Sequence, residues 1–300
     1  MTSFMTETET AAMQPVSRRR PPPGVQRRRA LWSVANHSLA IVLALIFIFP
    51  LAIVSLTAFM THAQVGTGHI WPSPWYFGNF SKVIHGIPFV RYFANTVIYA
   101  VLATIGVVIS SVPVAYAFSR LRWRGRDAVF LLVLATMMLP AQVTSVSLYI
   151  VFTRVHWVGT LLPLIVPAFF GDAFTIFLLR QFFLTIPQEL TEAARVDGAS
   201  EWQILTRVVV PLAKPAIAAV SLFQFLYCWN DFYNPLLYTG NSTNNMTLAV
   251  GLTQFTTLAR GNAYEVQMAA SLMFIVPVII IFFFAQKVFV EGVTLTGVKG

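Results

Sequence analysis

Charge is scarce in this 300-residue chain. Asp, Glu, Lys and Arg make up only 10% of it, whereas ordinary soluble domains carry about 25%. So few charges could not cover the surface of a soluble protein of this length. Cysteine is scarcer still: Cys228 stands alone, which excludes an internal disulfide and a thiolate metal site. Within an apolar run it reads as a small buried hydrophobe. No Gly-x4-Gly-Lys-Ser/Thr loop is present to cradle a nucleotide. No nucleophile or metal constellation appears either, which argues against a membrane enzyme. No internal repeat is obvious, which disfavours the inverted-repeat secondary transporters. An ion-coupled carrier also needs a relay of acids within the membrane, and this chain offers only Asp172 and Asp231.

What is present is apolar length. Hydrophobic residues make up 57% of the chain and the mean hydropathy is +0.70. Six apolar runs, at 37–60, 93–118, 127–151, 158–183, 215–238 and 266–290, each approach the ~20 residues a helix needs to cross a bilayer. The implied fold class is an all-α integral membrane protein with six transmembrane helices. Residues 36–290 form its membrane domain, a basic tail without apolar periodicity precedes it at 1–35, and a short tail follows at 291–300. Proline-rich "SRRRPPPGVQRRR" reads as disordered. It is not a twin-arginine signal, because prolines separate it from the apolar run, which is too long for a signal-peptide core and lacks a cleavage site.

The net charge of +9 does not point to nucleic acid, because the basic residues cluster beside the apolar runs. Sixteen of the twenty Lys and Arg fall in the N-terminal tail, the second and fourth connections and the C-terminus. The remaining four, Lys82, Arg91, Arg154 and Arg260, fall on the other side. The positive-inside rule then places both termini in the cytoplasm, together with the fourth connection at 186–214.

That connection holds "TEAARVDGASEWQILTRVVVPLAKP". Pro187 suits a first helical position, and Gly198 suits the left-handed position just past a helix end. Ser200 followed by Gln203 is a capping box that starts a second helix. Trp202, Leu205 and Val209 recur at helical spacing beside Ile204 and Val208, until Pro211 and Pro215 end the run. Helices of about ten residues are not stable alone in water, so both must pack on something. Ala193 and Ala194 offer a smooth face ringed by Glu192, Arg195 and Asp197. The loop is either folded on its own bundle or a docking element for a partner.

Glu192, Ala193, Ala194, Gly198, Val208, Val210 and Pro211 reproduce the spacing of the EAA loop, and the chain thereby resembles the permeases of ATP-binding-cassette importers. Valine stands where the family prefers Ile or Leu. "FLLRQFF" at Phe177–Phe183, "WNDF" at Trp229–Phe232, "MAAS" at Met268–Ser271 and "FVEGVTLTGVKG" at Phe289–Gly300 are similar to carbohydrate-importer permeases of the maltose-transporter type, the second of the two permeases in particular. The resemblance implies four kinds of partner: a second related permease, two ATP-binding subunits, an extracytoplasmic sugar-binding protein and the membrane lipid. It implies no cofactor on this chain, with ATP and Mg on the partner subunits. Glu192, Ala193, Ala194, Asp197, Gly198 and Pro211 would couple to the ATP-binding subunit, as a lever driven by its closure. Thr296, Gly297 and Lys299 would contact those subunits through the C-terminal tail.

Polar residues within the spans are candidates for the substrate path. Asp172 lies beside Gly171, a residue at which the helix can break, and is either a sugar-facing acceptor or a hydrogen-bonding anchor. Trp229, Asn230 and Asp231 are either a sugar surface or part of an interfacial aromatic belt. The loop from about Tyr238 to Glu265 either touches the binding protein or caps the bundle. A sugar or oligosaccharide is the implied cargo, with glycerol phosphate or another polyol as the alternative.

Overall fold

The computed structural model describes residues 23–258 and 263–297, without the side chains of 23–31, 141, 254–258 and 284–297. It divides into two compact units, residues 1–52 and 53–300. All regular structure among the described residues is helical.

The first unit holds most of α1 (Pro23–Ala58). Of the tail expected to be disordered at 1–35, the residues from Pro23 onward are helical, and residues 1–22 lie outside the described residues. Extending an existing helix backwards through good helix formers such as arginine needs no new nucleus.

The second unit is organised around α3 (Phe89–Arg120). Its 32 residues span about 48 Å at 1.5 Å each, well beyond the ~30 Å of a bilayer core. Tyr92, Thr96, Tyr99, Ala103 and Val107 recur every three or four residues and are all buried, giving one continuous core face. Against this face pack α7 (Ala173–Thr185) and α11 (Lys214–Asn230). At one end, α2 (Gly78–Gly86), α13 (Leu248–Leu258) and α14 (Tyr264–Gly297) close a cluster around Tyr92, Leu248, Val250 and Val266. At the other end Tyr116, Leu179, Phe183, Ile204 and Val209 form a second cluster.

Six uninterrupted spans do not appear among the described residues. Among the described residues, four helices are long and apolar enough to cross a membrane, or five if a pair bent by 80° counts as one. The 127–151 run is two helices, α4 (Arg126–Thr136) and α5 (Ala141–Arg154). Pro140 between them lacks an N–H and disfavours helix at the residue before it. The 158–183 run starts as α6 (Leu162–Ile165) and a 3-10 turn at Val166–Phe170, then breaks at Gly171, where φ is +95°, before α7. The 215–238 run stops at Asn230 and resumes as α12 (Tyr233–Thr239). No break separates a C-terminal tail, because α14 continues to Gly297.

Gly251 on α13 marks a close approach. A Cβ there would run into the ring of Tyr92, which is fully buried and cannot swing away. Gly251→Ala should destabilise the protein by about 1–3 kcal/mol, the usual cost of overpacking. A thermal melt of purified protein checks this, and an unchanged or raised Tm refutes it.

Candidate functional site: the capped loop and the membrane cavity

The loop between α7 and α11 is built as its sequence signals require. α8 (Gln188–Val196) follows Pro187. Its end is closed by two backbone bonds, Ala199 N–H to the Ala194 carbonyl (2.9 Å) and Gly198 N–H to the Arg195 carbonyl (3.0 Å), with Gly198 at φ +83°. This is the Schellman arrangement. Ser200 and Gln203 then form the reciprocal capping box: Gln203 Oε1 accepts from Ser200 N–H at 2.8 Å, and Ser200 Oγ from Gln203 N–H at 3.4 Å. The second helix is not uniform. α9 (Glu201–Ile204) widens into a π turn at Leu205–Val209 and narrows again in α10 (Val210–Leu212). Pro211 supplies no N–H to the preceding turn, and the wide turn lies immediately upstream. The stack meets α11 at 80°.

Which faces are covered follows the apolar pattern with one exception. Ile204, Leu205 and Val209 are buried against α3 and α7. Trp202, read as part of the same stripe, is instead 65% exposed. Ala194 packs partly into the cluster, while Ala193, Glu192, Asp197, Gly198 and Pro211 face outward. Val196 is 89% exposed, so the outer face of the loop is apolar at Val196 and Trp202 and charged around them.

A clasp that sequence reading missed fixes the loop to α3. Arg195 on α8 donates from both Nε and a terminal nitrogen to Glu201 on α9, at 2.7 and 3.2 Å. Glu201 Oε2 also accepts from the hydroxyl of Tyr116 on α3 at 2.5 Å. The hydrogen-bonded guanidinium holds the Glu201 carboxyl below the usual carboxylate range. Two arginines tie α3 to α7 in opposite senses. Arg120 at the end of α3 donates to the carbonyls of Phe183 and Ile186 at the end of α7. Arg180 on α7 donates to the carbonyl of Phe118 on α3 at 3.2 Å and lies 4.1 Å over the Phe130 ring. A polar cavity of about 630 Å³, lined by Arg120, Arg122, Arg126, Glu192, Arg195 and Glu201, opens between this junction and α8. No local pattern in the sequence marked Tyr116.

The membrane candidates separate. Asp172 is the N-cap of α7, with Oδ2 accepting from Thr175 N–H at 2.7 Å. Its own N–H donates to Ser111 Oγ at 3.3 Å. It also lines a cavity of about 640 Å³ together with Tyr99, Phe174, Phe223, Gln224 and Tyr227. Trp229, which the sequence offers either to a sugar surface or to an interfacial aromatic belt, is only 1% exposed. Its ring packs on Phe93, Phe225 and Phe274, and its Nε1 donates to the Phe274 carbonyl at 3.3 Å. Asp231 accepts from Tyr99 Oη at 2.8 Å and from the backbone and side chain of Asn234 at 3.2 and 3.0 Å, which makes it a structural anchor. Asn230 is exposed, with Nδ2 donating back to the Leu226 carbonyl. Thr296 and Gly297 fall within α14, their side chains not described, and Lys299 lies outside the described residues.

Apolar spanning helices, an interior cavity and a firmly capped connecting loop define a polytopic membrane transport protein. Residues 106–295 match the family described as the binding-protein-dependent transport system inner membrane component, and the chain belongs to that family. It is accordingly an inner-membrane permease. It is 33% identical to the arabinooligosaccharides transport system permease protein AraQ of Halalkalibacterium halodurans, over 86% of this chain and 93% of that one. It is 29% identical to the sn-glycerol-3-phosphate transport system permease protein UgpE of Yersinia pestis, over 89% and 98%. Among solved structures it superposes on a bacterial ABC transporter involved in the import of the acidic polysaccharide alginate, at TM-score 0.76 and 28% identity, covering 87% of this chain and 97% of that one. It also shares the fold of a bacterial alginate ABC transporter in complex with alginate pentasaccharide-bound periplasmic protein, at TM-score 0.64 and 18% identity, covering 87% and 94%.

The clasp generates a prediction. Glu201 is about half exposed, so its pair with Arg195 is worth only ~0.5–1 kcal/mol. A carboxyl held below its unfolded-state value contributes fully above that value, and the contribution is lost as pH falls through the lowered one. The clasp therefore holds at neutral pH and releases in acid. Glu201→Ala and Tyr116→Phe should each speed amide hydrogen exchange across 188–204 several-fold while leaving the middle of α3 protected. Unchanged exchange in the loop would dismiss the clasp.

Proposed function

We propose that this chain is one permease subunit of an ATP-driven, binding-protein-dependent importer of a sugar or oligosaccharide. The observation that carries this reading is the loop at 186–214. Its Schellman end, capping box and clasp present Ala193, Val196 and Trp202 outward while anchoring the loop rigidly to α3 and α7. An exposed apolar crest on a rigid mount suits docking of a partner subunit. Two ATP-binding subunits supply the ATP chemistry, a second permease completes the path, and a periplasmic binding protein delivers the cargo. Glu192, Ala193, Ala194, Asp197, Gly198 and Pro211 form the coupling surface, and the C-terminal segment with Thr296, Gly297 and Lys299 reaches toward the same subunits. Both termini lie in the cytoplasm.

In this reading the chain crosses six times: through α1, α3, the α4–α5 pair, the α6–α7 pair, the α11–α12 pair and α14. Proline-broken segments are tolerated in a membrane bundle because neighbouring groups satisfy the freed backbone. A phosphorylated polyol is the second reading, supported by the 29% identity to a glycerol-phosphate permease.

Gly198 tests the coupling role. Nothing lies within 4 Å of a Cβ built there, so a substitution is penalised through the backbone alone. Left-handed geometry costs an ordinary residue ~1–2 kcal/mol and a β-branched one more, whereas asparagine tolerates it. Gly198→Val should insert into the membrane and retain its spans, yet lose at least tenfold in ATP-driven uptake and in binding-protein-stimulated ATP hydrolysis. Gly198→Asn should stay near wild type. The measurements are insertion, co-purification of an ATPase subunit and uptake into proteoliposomes from one preparation. Full coupling in Gly198→Val rules out the loop as the link, and a lone chain without an ATPase rules out the importer.

A further inference from the structure

Relatives of this chain are named for cargoes of opposite character, arabino-oligosaccharides without charge and glycerol phosphate or alginate with negative charge. Similarity therefore does not say which this chain accepts. The cavity at the α7 break does. It is about 640 Å³, within the ~300–1,000 Å³ of ordinary ligand sites. Among the described residues that line it, Asp172 alone is charged, and none is Lys, Arg or His. Phe174, Phe223 and Tyr227 bring aromatic surface, while Gln224, Thr175 and Tyr99 bring polar groups. Tyr99 leads directly to a second carboxylate, since its hydroxyl donates to Asp231.

We propose that this cavity is a charge filter, in which Asp172 admits uncharged carbohydrate and turns away carboxylated or phosphorylated cargo. The proposal rests on the reading of the chain as a carbohydrate-importer permease.

Three features support it. A carboxylate only accepts hydrogen bonds, so Asp172 can be satisfied by sugar hydroxyls but not by the ionised carboxylate or phosphate group of a charged cargo, which is itself an acceptor. Within an apolar bundle the local dielectric is low, and two like charges sharing one cavity repel far more than they would in water. Aromatic rings offer a surface to the C–H faces of a neutral sugar without needing any charge on it. Asp172 is also held in place: as the N-cap of α7 it is bonded to Thr175 N–H, and its backbone is bonded to Ser111. It therefore cannot swing out of the way of an anion without uncapping the helix.

The N-cap role makes a clean test available, because asparagine caps a helix about as well as aspartate but carries no charge. Asp172→Asn thus removes the filter while keeping the break and the helix start. Asp172→Glu restores the charge. The assay uses the complete transporter complex in two ways. First, saturation-transfer NMR on the detergent-purified complex without binding protein compares neutral trisaccharides with uronic-acid trisaccharides of equal size and with glycerol 3-phosphate. Second, ATP-driven uptake of the same probes is measured in proteoliposomes with the binding protein added.

In the wild type, contact with the neutral probes should exceed contact with either anion at least tenfold. In Asp172→Asn that ratio should fall below about threefold, and in Asp172→Glu it should recover. Equal contact of neutral and anionic probes in the wild type overturns the filter, as does an unchanged ratio in Asp172→Asn. ATP-driven uptake of an anion at the neutral rate overturns the filter and leaves the importer reading standing. Absence of ATP-driven uptake for every probe, with no ATPase subunit in the preparation, overturns both.

Discussion

A helix that stops inside an apolar bundle leaves backbone N–H and C=O groups without partners, and no water is at hand to take them. The architecture depends on how those groups are satisfied. Asn79 donates to the carbonyls of Ala58 and Met60 at the end of α1. Asn95 donates to the carbonyls of Asn244 and Met246 ahead of α13, and Thr96 accepts from Leu248 N–H at its start. Arg120 serves the end of α7, Asp172 its beginning, and Asp231 the start of α12. A chain with only 10% charged residues has stationed a large share of its interior polarity at helix ends. At the Gly171 and Asp231 breaks, the restarting helix is met by a side-chain partner of its own.

The same constraint decides what the sequence could reveal. Local punctuation was legible: Gly198, the Ser200–Gln203 box and the Gly171 break each act within a few residues, and each stands where its residue type requires. Apolar length announced the membrane and the number of apolar segments. It did not announce the breaks at Pro140 and at Asp231, because hydropathy averages over a window while a single proline or capping carboxylate acts at one position. Polar residues in the spans were readable as unusual, but their role was not. Asp172 and Asp231 look alike in sequence. Three donors on Asp231 and a cavity beside Asp172 tell them apart, and those partners lie up to 132 residues away. The two readings of Trp229 could not be separated for a related reason: "WNDF" shows an aromatic beside polar groups, but not that the indole turns inward onto Phe274. The Tyr116–Glu201–Arg195 clasp was out of reach because its members are spaced along the chain in no local pattern.

Tertiary contacts also explain how so short a loop holds its shape. α8 has nine residues and α9 four, both below the length at which an isolated helix persists. Ile204, Leu205 and Val209 insert between α3 and α7, and the clasp pins the polar edge that these apolar contacts leave open. Apolar burial supplies the main attachment, and the charged bonds set the angle at which the outer face is presented. A loop held in this way is a rigid mount for its outer face.

The 80° bend between the α9–α10 stack and α11 has a kinematic consequence. Were the two collinear, pushing the stack along its own length would drive α11 up and down like a piston. At 80° only about a sixth of such a displacement runs along the axis of α11, and nearly all of it arrives sideways at the foot of that helix. A sideways shove at one end of a rod gripped along its middle swings the far end the opposite way. Under the proposed coupling the joint acts as a crank: a small excursion at one membrane face becomes a reciprocal excursion at the other, narrowing one mouth of the bundle in the stroke that widens its opposite.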